Sequence, residues 1–410
     1  MSLPDPAGNI TYLELLRRNR NLRLLWLGQV VSQLGDWFNA VAVYALLLEV
    51  TGSATAVGVM MAVQFVPIAL IGPAAGVVVD RFDRVRIMIL ADLVRGCVIP
   101  GLLLVRDADD IWLAYLVVGT SVLATGFFEP ARSAIMPRIA SQHELLPANS
   151  LAAATWSAML AVGAALGGAV SAAFGRDPAF LINTLSFFLS AALISGVHVG
   201  DADRELKDRA AGWRDFVEGV RYVRGDRRLA VLLAIKPTGA VIGGVVLLLT
   251  VFGERVFKMA GAGGIGILFA ARGLGAGCGA VLSKTIVGTH LARLRGAVGP
   301  AFLVMSIGYA ALAGSPNIWI AAVAIVAAQA GGAMTWVCSS VLLQTEVPDR
   351  LLGRIFAAEF ALVTLILSTT SVATALAIDR FDLSPRTLAA GFALFFLGPG
   401  LFFSRALARR

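Results

Sequence analysis

Five ionisable side chains fall inside long apolar stretches: Asp36, Asp92, Arg95, Lys236 and Arg272. A charge deep in hydrocarbon costs at least about 2.5–3.5 kcal/mol, so each needs a partner, a wet cavity or a task. Gln29, Gln33, Asp36 and Tyr44 follow one another at steps of four, three and eight residues, which keeps them on one helix face. A polar stripe on an apolar helix faces water or a ligand. Desolvation disfavours the charged form of a carboxyl group, which makes Asp36 the candidate for a coupling proton. The competing reading is a permanent salt bridge to a base. Lys236 and Arg272 are the cationic candidates. They either balance a carboxylate in a gate that opens on protonation, or hold an anionic substrate group. Lys236 precedes Pro237, where a kink would expose carbonyls, and it also has the reach to snorkel to the nearer interface. Asp92 and Arg95, three residues apart, pair with each other.

A second cluster sits at one set of helix ends: Gly76, Asp80, Arg81, Arg84, Glu129, Arg132, Glu346, Arg354 and Glu359. Ion pairs there would gate one face, although exposed pairs contribute only about 0–1 kcal/mol each. Trp336, Phe65, Phe127 and Met334 could receive an apolar ligand, with Gln329 as a polar partner. Enzyme chemistry has little to work with. No Gly-x-x-x-x-Gly-Lys-Ser/Thr loop is present, and His143, His198 and His290 lie at the edges of apolar runs. No histidine pair at metal-ligand spacing and no Gly-x-Ser-x-Gly turn occurs. A non-enzyme without metal or cofactor is expected.

These residues must be positioned by membrane helices. Of 410 residues, 58% are apolar and 15% charged, and mean hydropathy is +0.81. Soluble domains carry about 25% charged residues, so this chain's solvent is lipid. Lipid forces long apolar runs into helices, because every backbone polar group must be satisfied within the span. Twelve runs are predicted, over 24–50, 54–79, 85–105, 111–134, 151–173, 179–198, 229–251, 262–283, 297–314, 318–343, 355–378 and 387–407. With the N-terminus in the cytoplasm, 25 of the 34 Lys and Arg fall on that face and 6 on the other. The bias predicts both termini inside. It also absorbs the net charge of +8, so no nucleic-acid partner is expected. The long basic stretch divides the chain into a first six-helix bundle (1–199), a linker (200–228) and a second bundle (229–410). Within the linker, Trp213–Arg228 alternates apolar and basic positions as a helix on the inner membrane surface would. Cys97, Cys278 and Cys338 lie in apolar runs and form no disulfide framework. The polar, arginine-bearing start predicts no cleavable leader.

The run Gly76-Val-Val-Val-Asp80-Arg81 has a counterpart six spans later in Gly279-Ala-Val-Leu-Ser283-Lys284. Paired repeats around a central site are a transporter signature. Gly76-x-x-x-Asp80-Arg81-x-Asp83-Arg84 resembles the span 2–3 loop motif of the major facilitator superfamily, with Asp83 where Gly is usual. Phe128-Glu129-Pro130-Ala131-Arg132, Leu146-Pro147-Ala148-Asn149-Ser150, Asp92-Leu-Val-Arg95 and Asn183-Thr-Leu-Ser186-Phe187 resemble the branch with macrolide-efflux and enterobactin exporters. The lysophospholipid transporters are a neighbouring branch. Gly163-Ala164-Ala165-Leu166-Gly167-Gly168 is similar to the superfamily's antiporter motif, with Ala164 in place of proline.

The resemblance implies an all-α protein of two pseudo-symmetric six-helix bundles. It implies proton-coupled export of an amphiphilic small molecule by alternating access; the alternative is lipid or lysophospholipid flipping. It places Asp36 and Lys236 in the central cavity, facing each other from opposite bundles, and brings Asp80 to the start of span 11, where the helix dipole favours an anion. A monomer in a bacterial inner membrane, driven by the proton gradient, is expected.

Overall fold

The computed structural model describes residues 11–199, 227–259, 262–287, 290–347 and 349–408. The linker from 200 to 226, on which the surface helix is predicted, lies outside the described residues, as do the side chains of Asp80, His143, Arg350 and Arg354. Twelve helices among the described residues are long and apolar enough to cross a bilayer. They are Arg20–Thr51, Ala54–Gly72, Arg84–Leu104, Ala108–Ile139, Pro147–Phe174, Asp177–Ser195, Leu229–Val256, Gly263–Val287, Leu291–Gly314, Ile318–Glu346, Ala358–Phe381 and Pro385–Leu407, numbered here as spans 1 to 12. Large apolar side chains such as Ile307, Val323 and Leu394 stand outward, an arrangement that lipid accepts and water does not.

Local chemistry sets the helix ends. The Asn19 carboxamide caps span 1 on Leu22 N–H, and Gly52 closes that helix in the left-handed region at φ 61°. Asp83 caps span 3 by accepting from Arg86 N–H at 2.8 Å, which explains an aspartate where the resembled motif carries glycine. The helix of span 2 runs on to Arg81 and that of span 11 begins at Asp349, so both project beyond their apolar cores.

Span 7 is broken. It comprises Arg227–Leu233, Ile235–Gly239 and Ile242–Val251, followed by a π-helical turn over Phe252–Val256. Pro237 lacks the N–H that an unbroken helix would use, and Gly239, Gly243 and Gly244 follow within two turns. Lys236 therefore rides on a five-residue piece between two irregular joints.

Spans 1 to 6 pack among themselves, with span 1 against 5 and 6 and span 4 against 2 and 3; spans 9, 10 and 12 and the pairs 8–10 and 7–11 form the other group. The groups meet where span 5 lies along span 8 and span 2 along span 11. Without side chains, Gly168 and Gly266 let the first pair close: a Cβ on Gly168 would sit 2.7 Å from the Gly266 Cα.

Candidate functional site

The face where span 1 begins is called the basic face below, and the other the opposite face. About 16 Å in from the basic end of span 3, at a rise of ~1.5 Å per residue, Arg95 lies almost fully buried. Its guanidinium donates to the Asp92 carboxylate one turn earlier. It also lies 3.9 Å from the Asp36 carboxylate of span 1 and 3.5 Å from Thr125 Oγ1 of span 4. Phe187 of span 6 and Phe128 of span 4 present ring faces to it at 4.3 and 4.9 Å. Gly35, beside Asp36, permits this gathering: a Cβ there would meet the Asn183 carboxamide oxygen at 2.6 Å. Four of the stretches singled out in the sequence thus converge on one guanidinium.

The arrangement holds two carboxylates and one cation. Asp92 is fully buried, whereas the Asp36 side chain is 45% exposed. Arg95 is committed to Asp92, and Asp36 is the carboxylate left free to exchange partners. The pairing of Asp92 with Arg95 is present, but Arg95 reaches Asp36 as well. Two further members of the span 1 stripe differ from Asp36. Gln29 is buried, and Tyr44 is buried with its hydroxyl donating to Gln64 Oε1 at 2.5 Å. Gln33 Oε1 is buried without a hydrogen-bond partner among the described residues.

Neither cation of the second group lies at ion-pair distance from Asp36, and Lys236, expected to face it, is paired elsewhere. Lys236 Nζ donates to Glu359 Oε2 of span 11 at 2.6 Å, with both side chains nearly sealed. Glu359, expected among the gating residues, is therefore part of a buried pair inside one group. The reason is depth and direction: the break in span 7 turns Lys236 toward spans 10 and 11, where Trp336 and Phe356 flank it. Arg272 of span 8 has no acidic partner at ion-pair distance among the described residues, and its Nε is buried without an acceptor. Its electrostatic neighbours are the hydroxyls of Tyr44 and Tyr309. Gln329 donates to the latter at 3.3 Å. Ion pairing within the described membrane core thus runs inside each group rather than across.

At the basic face, Glu129 pairs with Arg132 on its own helix at 2.7 Å, and Arg295 with Glu346 at 2.5 Å. Arg81 is exposed and Arg84 half-buried. A Cβ on Gly76 would meet open space. The approach of Asp80 to span 11 lies outside the described side chains. The antiporter-like stretch serves close packing: a Cβ on Gly163 or Gly167 would lie 2.8 Å from Trp37 or Phe38 of span 1, and Gly168 faces span 8.

One device goes beyond the sequence expectations. At the opposite face, Asp379 of span 11 caps the start of span 2, accepting from Ser53 Oγ at 2.7 Å, Ala54 N–H at 3.2 Å and Thr55 N–H at 2.7 Å. Arg255 joins it, donating to Gly52 O at 2.6 Å and lying 3.9 Å from Asp379. Its signal in the sequence is Gly52-Ser53, a helix stop followed by a cap, opposite an aspartate at the end of span 11.

Comparison with known proteins agrees with this architecture. Macrolide efflux protein A of Streptococcus pyogenes is 27% identical over 216 residues, covering 52% of this chain and 53% of that protein. The MFS-type transporter YfiS of Bacillus subtilis is 29% identical over 181 residues, 44% of this chain and 43% of the other. In these alignments the chain spans about half the length of the curated relatives it matches. The MFS-type transporter Mb0038c of Mycobacterium bovis matches at 28% over 90% of this chain and 88% of its own length. Among solved structures, an inward-facing bacterial homologue of the iron transporter ferroportin superposes with a TM-score of 0.72 at 14% identity, covering 95% of this chain and 98% of that one. The nucleoside transporter NupG superposes at 0.68 and 11%, with coverage of 95% and 98%. Residues 25–363 match the sequence pattern of the Major Facilitator Superfamily, and this multi-pass membrane protein belongs to that superfamily.

Proposed function

We propose that this chain is a secondary active transporter that exports amphiphilic small molecules in exchange for protons, with Asp36 as the proton site. One observation carries the reading. Asp36 and Asp92 share the single cation Arg95, which leaves one negative charge uncompensated in the membrane whenever both acids are ionised. A proton removes that charge, and Asp36 is the more exposed of the two acids. The relatives support the direction, since one carries macrolide efflux in its name. The basic face is cytoplasmic, following the distribution of Lys and Arg. The two groups rock about the central crevice as a monomer, and the proton gradient supplies the energy without a cofactor.

The test is uptake of a labelled macrolide into proteoliposomes with and without an imposed pH gradient. Asp36→Asn is expected to lose gradient-driven accumulation while retaining exchange of label between the two sides. Full gradient-driven accumulation by the variant would overturn the proton assignment. Gradient-independent movement of labelled lysophospholipid would instead favour lipid flipping.

A further inference from the structure

The second group holds its own buried ionic centre, and its surroundings are unusual for a structural salt bridge. The Lys236 ammonium sits 5.1 Å from the ring centre of Trp336 and 4.8 Å from that of Phe356, besides its bond to Glu359. Glu359 Oε1 is buried and accepts no hydrogen bond among the described residues. With Phe360 and Val363, these residues line a cavity of about 370 Å³. Trp336 and Phe360 are each nearly half exposed.

A carboxylate between aromatic faces is an arrangement that recognises organic ammonium groups, because the ring quadrupoles present negative faces to the cation. The same faces repel an anion. Lys236 is the occupant seen here, and it is carried on the short piece Ile235–Gly239 between two helix breaks. Exchange of one cation for another keeps Glu359 neutralised throughout, and the displaced Lys236 ammonium moves on its long stem toward water at the basic face, so that neither charge is left buried and unpaired.

We infer that this box is the cation subsite for substrate: the tertiary or quaternary ammonium of an amphiphile replaces the Lys236 ammonium beside Glu359. The apolar remainder lies along Trp336, Phe360 and Val363. The inference rests on the reading that the chain carries amphiphilic small molecules, and it commits that reading to cationic ones.

Equilibrium binding to the purified full chain in detergent tests it without any gradient. The probes are radiolabelled tetraphenylphosphonium and tetraphenylborate, matched in shape and opposite in charge. Wild type is expected to bind the cation and not the anion. Glu359→Gln is expected to weaken cation binding about tenfold or more, and Trp336→Leu about three- to tenfold. Lys236→Met removes the resident ammonium and is expected to strengthen cation binding about tenfold. Where Lys236→Met does not survive extraction, tetraphenylphosphonium added during extraction is expected to recover a monodisperse protein, and failure to recover it counts against the site. The neutral double variant Lys236→Met/Glu359→Gln is expected to fold and not to bind. Wild-type affinity in Glu359→Gln, or preference for the borate, overturns the inference. The Asp36→Asn transport assay can fail while this binding pattern holds, and the reverse, so the two proposals fall separately.

Discussion

Replacing Asp379 by Asn is expected to open the face where the two groups now meet. The Asp379 carboxylate accepts three hydrogen bonds, two of them from backbone N–H groups at the start of span 2. A hydrogen bond to a charged acceptor contributes about 1.5–3 kcal/mol, and a negative charge at a helix N-terminus about 0.3–1 kcal/mol. The Asp379 side chain is 21% exposed, which places these values toward their lower ends. Asparagine keeps one acceptor oxygen and loses the charge, so the closed state weakens by about 2–3 kcal/mol. At ~1.4 kcal/mol per tenfold, the closed-to-open ratio falls about 30- to 150-fold. The assay is the labelling rate of a cysteine at Ser171 by a membrane-impermeant maleimide, with Cys97, Cys278 and Cys338 replaced. Ser171 is buried and lines a cavity of about 550 Å³ between the groups at this face, together with Glu49, Arg176 and Glu254. Labelling is expected to accelerate by up to the same factor while the closed state predominates. A rate within twofold of the parent, or an equal acceleration by Asp382→Asn at the exposed neighbouring acid, would refute the latch.

Two further outcomes follow from the contacts in the core. Arg95→Ala strands two carboxylates and is expected to destabilise the fold by about 3–5 kcal/mol, seen as early thermal unfolding; adding Asp92→Ala should restore most of that loss, and a double variant weaker than the single one would show the pair is misassigned. Gly168→Val forces a side chain against Gly266 and is expected to cost about 1–3 kcal/mol of overpacking where the groups touch; transport should drop more than tenfold at equal expression, whereas wild-type transport would mean that spans 5 and 8 need not approach so closely.

How much of the molecule is legible in its sequence depends on the range over which each feature is fixed. The twelve helices follow from composition and from the requirement that lipid imposes on every backbone group, and both act locally. The break in span 7 is written locally too, at Lys236-Pro237. Partners across helices are harder to read. The polar stripe marks Asp36 as a charge off the lipid face, yet it carries no information about the rotation of span 3, so spacing alone pairs Arg95 only with Asp92. Glu359 falls among the basic-face acids in sequence because it lies near that end of span 11. Its pairing with Lys236 depends on how the broken helix turns, which no spacing encodes. Asp379 escapes a sequence reading because its acceptor role is satisfied by backbone N–H groups of a helix more than 300 residues away.

The charge arrangement bears on how coupling can work. In the first group, Asp36, Asp92 and Arg95 sum to one negative charge; in the second, Lys236, Glu359 and Arg272 sum to one positive charge. Arg272 has Tyr44 as an electrostatic neighbour, and Asp36 lies eight residues from Tyr44 on the same helix, on the order of 12 Å along its axis. On the proposed role of Asp36, a proton there leaves the first group neutral and weakens its attraction to the positive second group, and coupling between sites ordinarily amounts to about 1–3 kcal/mol. The Asp379 contacts, at about 2–3 kcal/mol, are of comparable size. In that reading the latch favours closure of the opposite face at rest, and the proton on Asp36 acts on the same balance. Asp379→Asn is then expected to alter the resting conformation and to keep the proposed proton dependence, whereas Asp36→Asn is expected to remove that dependence and to leave the resting conformation largely in place.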